Sequence, residues 1–308
     1  MKVRPRKFDK AVKKSADSNT IKSTRRVFFV SSDNPEPLSF RADHFGGMGT
    51  GTLIKIEETY FLLTAKHVII KSQLPGFKLG DDLHNSSPFW VLSRNRFSDF
   101  SKLESYLFPK KIWDIGELIK TEIDGIDTSD ICLIELCTPN LYELPDNFIE
   151  IHSMSDVDPK GIFSPGKSIH ISGYPFIQNG FTYEGNKPGT THETKVDRGS
   201  YLGTYMEDEG CIKHNAQEYS TGLPDLAGIS GGAVTGIHAK ANQVKLSGMV
   251  VSSSGGISRF IPSYVFIDAL LNYRQAKYYI VDPRAIDFFE AIGNPELVKD
   301  LMAAMEDQ

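Results

Sequence analysis

Gly228-Ile229-Ser230-Gly231-Gly232-Ala233-Val234 encloses a single serine in glycines, immediately ahead of a strand-like run. A serine hydroxyl is a weak nucleophile and gains reactivity beside a neutral imidazole that takes its proton. The glycines have a mechanical use. Backbone N–H groups are aimed at one point only through a sharp bend, and such a bend favours residues without a Cβ. Gly228, Ile229 and Ser230 supply the candidate N–H donors, with Gly228 and Ser230 the natural pair.

Two segments upstream supply what such a serine lacks. In Leu62-Leu63-Thr64-Ala65-Lys66-His67-Val68 a strand-like run ends on Thr-Ala and then presents a histidine. In Ser129-Asp130-Ile131-Cys132-Leu133-Ile134 an aspartate opens a short apolar run of buried-strand type. A carboxylate beside an imidazole fixes its tautomer and stabilises the imidazolium. A bare Gly-x-Ser-x-Gly also occurs in α/β-hydrolases, where an acid and then a histidine follow the serine. Here the only histidine after Ser230 is His238, eight residues on, and Asp268 has no histidine behind it. Chain order therefore selects His67, Asp130, Ser230.

With that order and those neighbours, the three motifs resemble the trypsin-like (chymotrypsin-fold) serine peptidases, of the intracellular bacterial type. Thr64-Ala65-x-His67, Asp130-Ile131-x-Leu133 and Gly228-x-Ser230-Gly231-Gly232 match the family's histidine, aspartate and serine motifs. Gly49-x-Gly51-x-Leu53-Ile54 and Ile171-x-Gly173-Tyr174-Pro175 resemble strands of its first and second barrels. The resemblance spans roughly residues 40–265. It implies an all-β fold of two antiparallel six-stranded β-barrels, here with a C-terminal helical extension. It also implies His67 as general base, Asp130 as orienting acid and Ser230 as nucleophile. The implied activity is cleavage of a polypeptide substrate through an acyl-enzyme, with no metal or organic cofactor.

By the same resemblance the specificity pocket has its base at Pro224 or Asp225. Its wall lies on Gly248–Gly256, with Val251, Ser252 and Ser253 facing substrate. Asp225 in the pocket would favour a basic substrate side chain, whereas Asp225 in an exposed loop would not. Two departures stand out. Ile229 occupies the place where zymogen-activated relatives carry Asp, and Val27-Phe28-Phe29-Val30 is no Ile-Val-Gly-Gly-type start, so activity is expected without cleavage near Arg26. Lys66 replaces a small residue, and its ammonium is expected in solvent; the alternative is a place where it depresses the histidine pKa. Two other readings stay open: a binding protein on a peptidase fold, and a partner-gated component of a stress or defence system.

The rest of the 308 residues sets the frame. With 40% apolar and 24% charged residues, collagen-like and largely disordered classes are excluded. No apolar run nears the roughly 20 residues of a membrane-spanning helix. Three cysteines argue against a disulfide-built scaffold and for a reducing, cytoplasmic setting. The other histidines show no ligand spacing with Cys, Asp or Glu, so no zinc site is expected. Residues 1–26 hold ten Lys/Arg and two Asp, so they carry +8 and the remaining chain −13. They are expected to form a disordered basic arm. That arm and the C-terminal helices are candidate surfaces for a protein partner, and nucleic acid is not expected because Phe8 is the arm's only aromatic.

The expected organisation is arm (1–26), first barrel with His67 and Asp130 (27–150), second barrel with Ser230 (151–262) and C-terminal helices (263–308). Hydrophobic patterning predicts a hairpin across Glu57-Glu58-Thr59, strands at Ile131–Leu136 and Ser168–Gly173, and a strand pair at Ala233–Ile237 and Lys245–Ser252. It predicts helices within 98–112, at Val265–Tyr273 and after Asn294-Pro295, a linker at 152–166 and a surface loop at 178–198.

Overall fold

The computed structural model describes residues 5–30, 45–70, 89–93, 106–137, 147–176, 179–183, 192–214, 226–237, 244–280 and 295–306. Phe8, Ala11, Val12 and Ser15 recur at i, i+3, i+4 and i+7, the spacing of one helical face. They form the inner face of α1 (Pro5–Ala16), while Lys7, Lys10, Lys13 and Lys14 stay exposed. A second short helix, α2 (Asn19–Lys22), is capped by the Ser18 hydroxyl and buries Thr20 and Ile21. The chain then enters strand β1 (Thr24–Val30). The expected disordered arm is therefore corrected: residues 5–26 are folded. Net charge misled because the lysines lie on one face, and because Arg25 is held inside by backbone carbonyls of Lys22, Thr24 and Ser93. Val27 and Phe28 are fully buried in β1.

β2 (Phe45–Ile56) and β3 (Thr59–Thr64) make the expected hairpin, with Ile56 opposite Thr59 and Glu57 turning the chain at a φ of 54°. After α3 (Lys66–Ile70) come β4 (Phe89–Leu92), β5 (Tyr106–Leu107), β6 (Pro109–Trp113), β7 (Cys132–Leu136) and β8 (Ile149–Glu150). The helix expected within 98–112 is not found at 106–113, which is strand; residues 94–105 lie outside the described residues. Tyr106 and Leu107 fit a helical spacing, but pairing with β4 and β7 buries the aromatics Tyr106, Phe108 and Trp113 in a sheet.

The second unit is a closed, all-antiparallel six-stranded barrel. In sequence its strands are β9 (Ser168–Gly173), β12 (Gly199–Tyr205), β13 (Cys211–His214), β14 (Ala233–Gly236), β15 (Gly248–Ser254) and β16 (Ile257–Pro262). Between the first two, β10 (Gly180–Tyr183) and β11 (His192–Lys195) form a separate hairpin where a surface loop was expected. The Asn179 side chain ties the base of that excursion, donating to the Pro175 and Asp197 carbonyls and accepting from the Asp197 N–H. Cys211 opens β13 and is buried; Cys132 and Cys137 are also free and buried.

The chain then returns to the first unit. Helix α4 (Ser263–Leu271) buries Val265, Phe266, Ile267, Ala269 and Leu270 in one apolar cluster with Phe61, Leu63, Ile112 and Leu133. Each of these side chains larger than alanine contributes roughly 2 kcal/mol of burial. β17 (Tyr278–Ile280) pairs with β6, so the segment is not helical throughout; three residues are too few for a period to show in sequence. The first sheet thus runs β17-β6-β7-β3-β2-β1-β4-β5, with β8 parallel to β2, and curls as a half-barrel beside the closed one. Helix α5 (Pro295–Glu306) follows. The architecture is all-β, a double β-barrel with helical additions. Among the described residues no helix is long and apolar enough to cross a membrane.

Candidate active site

β3 delivers Thr64 and Ala65, and the chain then coils into α3 with His67 in its first turn. On the neighbouring strand β7, Asp130 stands two residues ahead of the first residue, Cys132, which pairs with Thr64. A local turn sets the aspartate, with Asp127 Oδ1 accepting from the Ser129 N–H and hydroxyl. Asp130 then holds His67 at two points. Its Oδ1 accepts the His67 backbone N–H at 3.0 Å, and its Oδ2 lies 2.6 Å from the imidazole Nδ1. The side chains are 29% and 18% exposed, so the pair is shielded yet reachable.

Lys66 does not sit in solvent as expected. Its ammonium forms an ion pair with Asp114, and the two side chains are only 16% and 9% exposed. Behind them, burial pushes the Cys132 thiol well up, which keeps it protonated and inert.

Ser230 lies in the turn before β14. That turn packs on β2 and on the end of β3, three residues ahead of His67. A Cβ on Gly231 would collide with the Thr50 carbonyl and the Thr64 hydroxyl, and the φ of 87° there independently favours glycine. Gly228 has the same double constraint, with a φ of 94° and Phe176 and Tyr174 close by. The N–H groups of Gly228 and Ser230 donate to no acceptor among the described residues, whereas that of Ile229 donates to the Leu226 carbonyl at 3.1 Å. Of the three candidate donors, Ile229 is therefore withdrawn, because an internal turn consumes its proton. Its side chain is fully buried in the core of the closed barrel.

The Ser230 hydroxyl donates to the Val251 carbonyl at 2.9 Å and is not hydrogen-bonded to His67. Val251 is an extra residue in the β15–β16 register, between the pairs Val250–Phe260 and Ser252–Arg259. Such a bulge takes a carbonyl out of the ladder and leaves it to other donors. Of the expected pocket wall, Val251 is buried, Ser252 exposed and Ser253 half-buried. Ser253 Oγ lies 2.9 Å from Ser258 Oγ, and His214 Nε2 lies 2.8 Å from the same Ser258 hydroxyl. Burial lowers the His214 pKa, so a neutral imidazole stands behind the wall. Pro224 and Asp225 lie outside the described residues.

Two features escaped the sequence reading. His214 showed no ligand spacing, and Thr50 carried no signal beyond its place between glycines. Among the described residues no group of three His, Cys, Asp or Glu side chains is placed to hold a metal ion. No protein-family model matches this chain, and no curated protein matches it.

Proposed function

We propose that this protein is a serine endopeptidase that cleaves polypeptides with Ser230 as nucleophile, His67 as general base and Asp130 as orienting acid. The observation that carries the reading is one turn presenting a serine hydroxyl together with two N–H groups, Gly228 and Ser230, that have no acceptor among the described residues. The Asp130–His67 pair supports it. An ionised carboxylate only accepts, so Nδ1 carries the ring proton and Nε2 keeps its lone pair for the serine.

The steps follow from those groups. Ser230 Oγ turns from the Val251 carbonyl to His67 Nε2 and attacks the peptide carbonyl, and its proton passes to Nε2. The oxyanion accepts from the Gly228 and Ser230 N–H groups. The imidazolium then protonates the leaving amine, giving an acyl-enzyme on Ser230. Water attacks the ester, His67 takes its proton and returns it to Ser230 Oγ. The test is covalent labelling of the purified chain by a fluorophosphonate and hydrolysis of an unfolded polypeptide. Ser230→Ala is expected to lose both while keeping its melting transition, and labelling that persists in that variant would remove Ser230 from the role.

One observation favours a gated form of the same reading. The serine hydroxyl rests on Val251 and not on His67, so an added partner that turns it would raise activity. Labelling that is stronger in lysate than in the purified chain supports gating; equal labelling excludes it.

A further inference from the structure

We propose that Thr50 is a positioning residue for the Gly228 and Ser230 N–H pair, which deepens the peptidase reading and rests on it. Thr50 is fully buried on β2, where the two units meet. Its Oγ1 accepts the Tyr174 N–H at 2.8 Å and stands 3.1 Å from the Gly228 carbonyl. A peptide N–H only donates and a carbonyl only accepts. The hydroxyl proton must therefore point to Gly228, and the relay N–H to O–H to C=O has one direction.

Every peptide of the serine turn is pinned, and Thr50 pins the ones that matter most. The Ala227–Gly228 peptide is held by its carbonyl on the Phe176 N–H (2.7 Å), and the Ile229–Ser230 peptide by its carbonyl on the Gly232 N–H (2.9 Å). In a trans peptide the N–H points opposite to the C=O, so the Gly228 N–H points away from Phe176 and the Ser230 N–H away from Gly232. The Gly228–Ile229 peptide connects these two donors. Its carbonyl accepts from the Thr50 hydroxyl, and its N–H goes to Leu226. The Thr50 N–H takes the Ser230 carbonyl at 3.0 Å on the far side. Thr50 thus grips the turn at both the Gly228 and the Ser230 carbonyl, and a turned connecting peptide would alter how the two flanking peptides, which carry the donors, are set relative to each other.

That rotation runs through ψ of Gly228 and φ of Ile229, and the missing Cβ of Gly228 makes its half of the turn sterically cheap. Without the hydroxyl, the half-buried Gly228 carbonyl loses its Thr50 donor, and a peptide flip relieves it at the expense of the donor geometry. Tyr174 loses its acceptor at the same time. A threonine here therefore supplies chemistry that an isosteric valine cannot.

The test compares Thr50→Val and Thr50→Ser with the wild-type chain in fluorophosphonate labelling rate, in p-nitrophenyl acetate hydrolysis and in the crystal structure of the valine variant. Thr50→Val is expected to lower kcat and the labelling rate roughly a hundredfold, with KM changed less than about threefold, as for loss of an oxyanion donor. Thr50→Ser is expected to recover at least about tenfold of that loss. A folded valine variant that labels at the wild-type rate overturns the proposal, as does a loss that appears in KM alone. If the wild-type chain itself is not labelled, the peptidase reading fails separately. The crystal structure then decides the positioning role: a turned Gly228–Ile229 peptide supports it, and an unmoved one overturns it.

Discussion

Asp130 grips His67 by both its backbone and its ring, with the N–H on Oδ1 at 3.0 Å and Nδ1 on Oδ2 at 2.6 Å. The backbone grip places the first turn of α3, and the ring grip sets the imidazole plane. Asn at position 130 keeps an acceptor for one of these contacts and offers an N–H₂ to the other, which favours the wrong ring tautomer. Asp130→Asn is expected to lower kcat on the order of 10⁴-fold while the chain stays folded. Hydrolysis of p-nitrophenyl acetate and circular dichroism check this, and a loss below about tenfold would contradict the assigned role.

Gly231 meets two independent demands, a φ of 87° and contact with the Thr50 carbonyl. Gly231→Ala adds backbone strain and forces the two units apart at their junction. The expected cost is roughly 2–4 kcal/mol in urea unfolding. A variant within about 0.5 kcal/mol of wild type would mean that the junction yields freely.

Lys66 and Asp114 form a shielded ion pair one residue before His67. Lys66→Met leaves a carboxylate buried without its cation, which costs about 3–5 kcal/mol. Adding Asp114→Asn removes the stranded charge and should recover much of that loss. A double variant no more stable than Lys66→Met would show that the lysine stem, not its charge, matters.

His170 joins the N-terminal helix to the closed barrel. Its Nδ1 lies 3.0 Å from Ser15 Oγ and its Nε2 2.6 Å from Ser200 Oγ, while Ser15 Oγ also lies 2.8 Å from Thr235 Oγ1. Burial, with the Arg198 charge adding to it, lowers its pKa from 6.5 to about 4. As pH falls below 6.5 the unfolded chain takes up this proton first, so stability falls until folded His170 titrates near 4. The contribution lost is roughly 3 kcal/mol. His170→Gln should flatten the fall in urea midpoint between pH 6.5 and 4; an unchanged slope would assign the acid sensitivity elsewhere.

Much of the fold was legible because strands write a local pattern. The Glu57 hairpin, Cys132–Leu136 and Ser168–Gly173 all announced themselves through β-branched and apolar runs of strand length. The failures have equally specific causes. Tyr106–Trp113 fits two periodicities, and only pairing with β4 and β7 chooses between them. The arm was read by its charge, although Phe8, Ala11, Val12 and Ser15 carried a helical face in plain text. Tyr278–Ile280 is too short to show any period.

At the candidate site, the sequence by itself determined which residues are candidates for chemistry and in what order: His67, Asp130, then a serine between glycines. Bond-making groups are rare side chains in recognisable local settings, so a linear text can display them. Only the tertiary structure decided how they are held. Thr50 meets Tyr174 and Gly228 across 124 and 178 residues of chain, and Ser230 meets Val251 across 21. Those contacts exist because buried peptide groups must find partners when two units close on each other. That demand is satisfied by whichever groups the fold brings near, and it leaves no mark on neighbouring residues in the sequence.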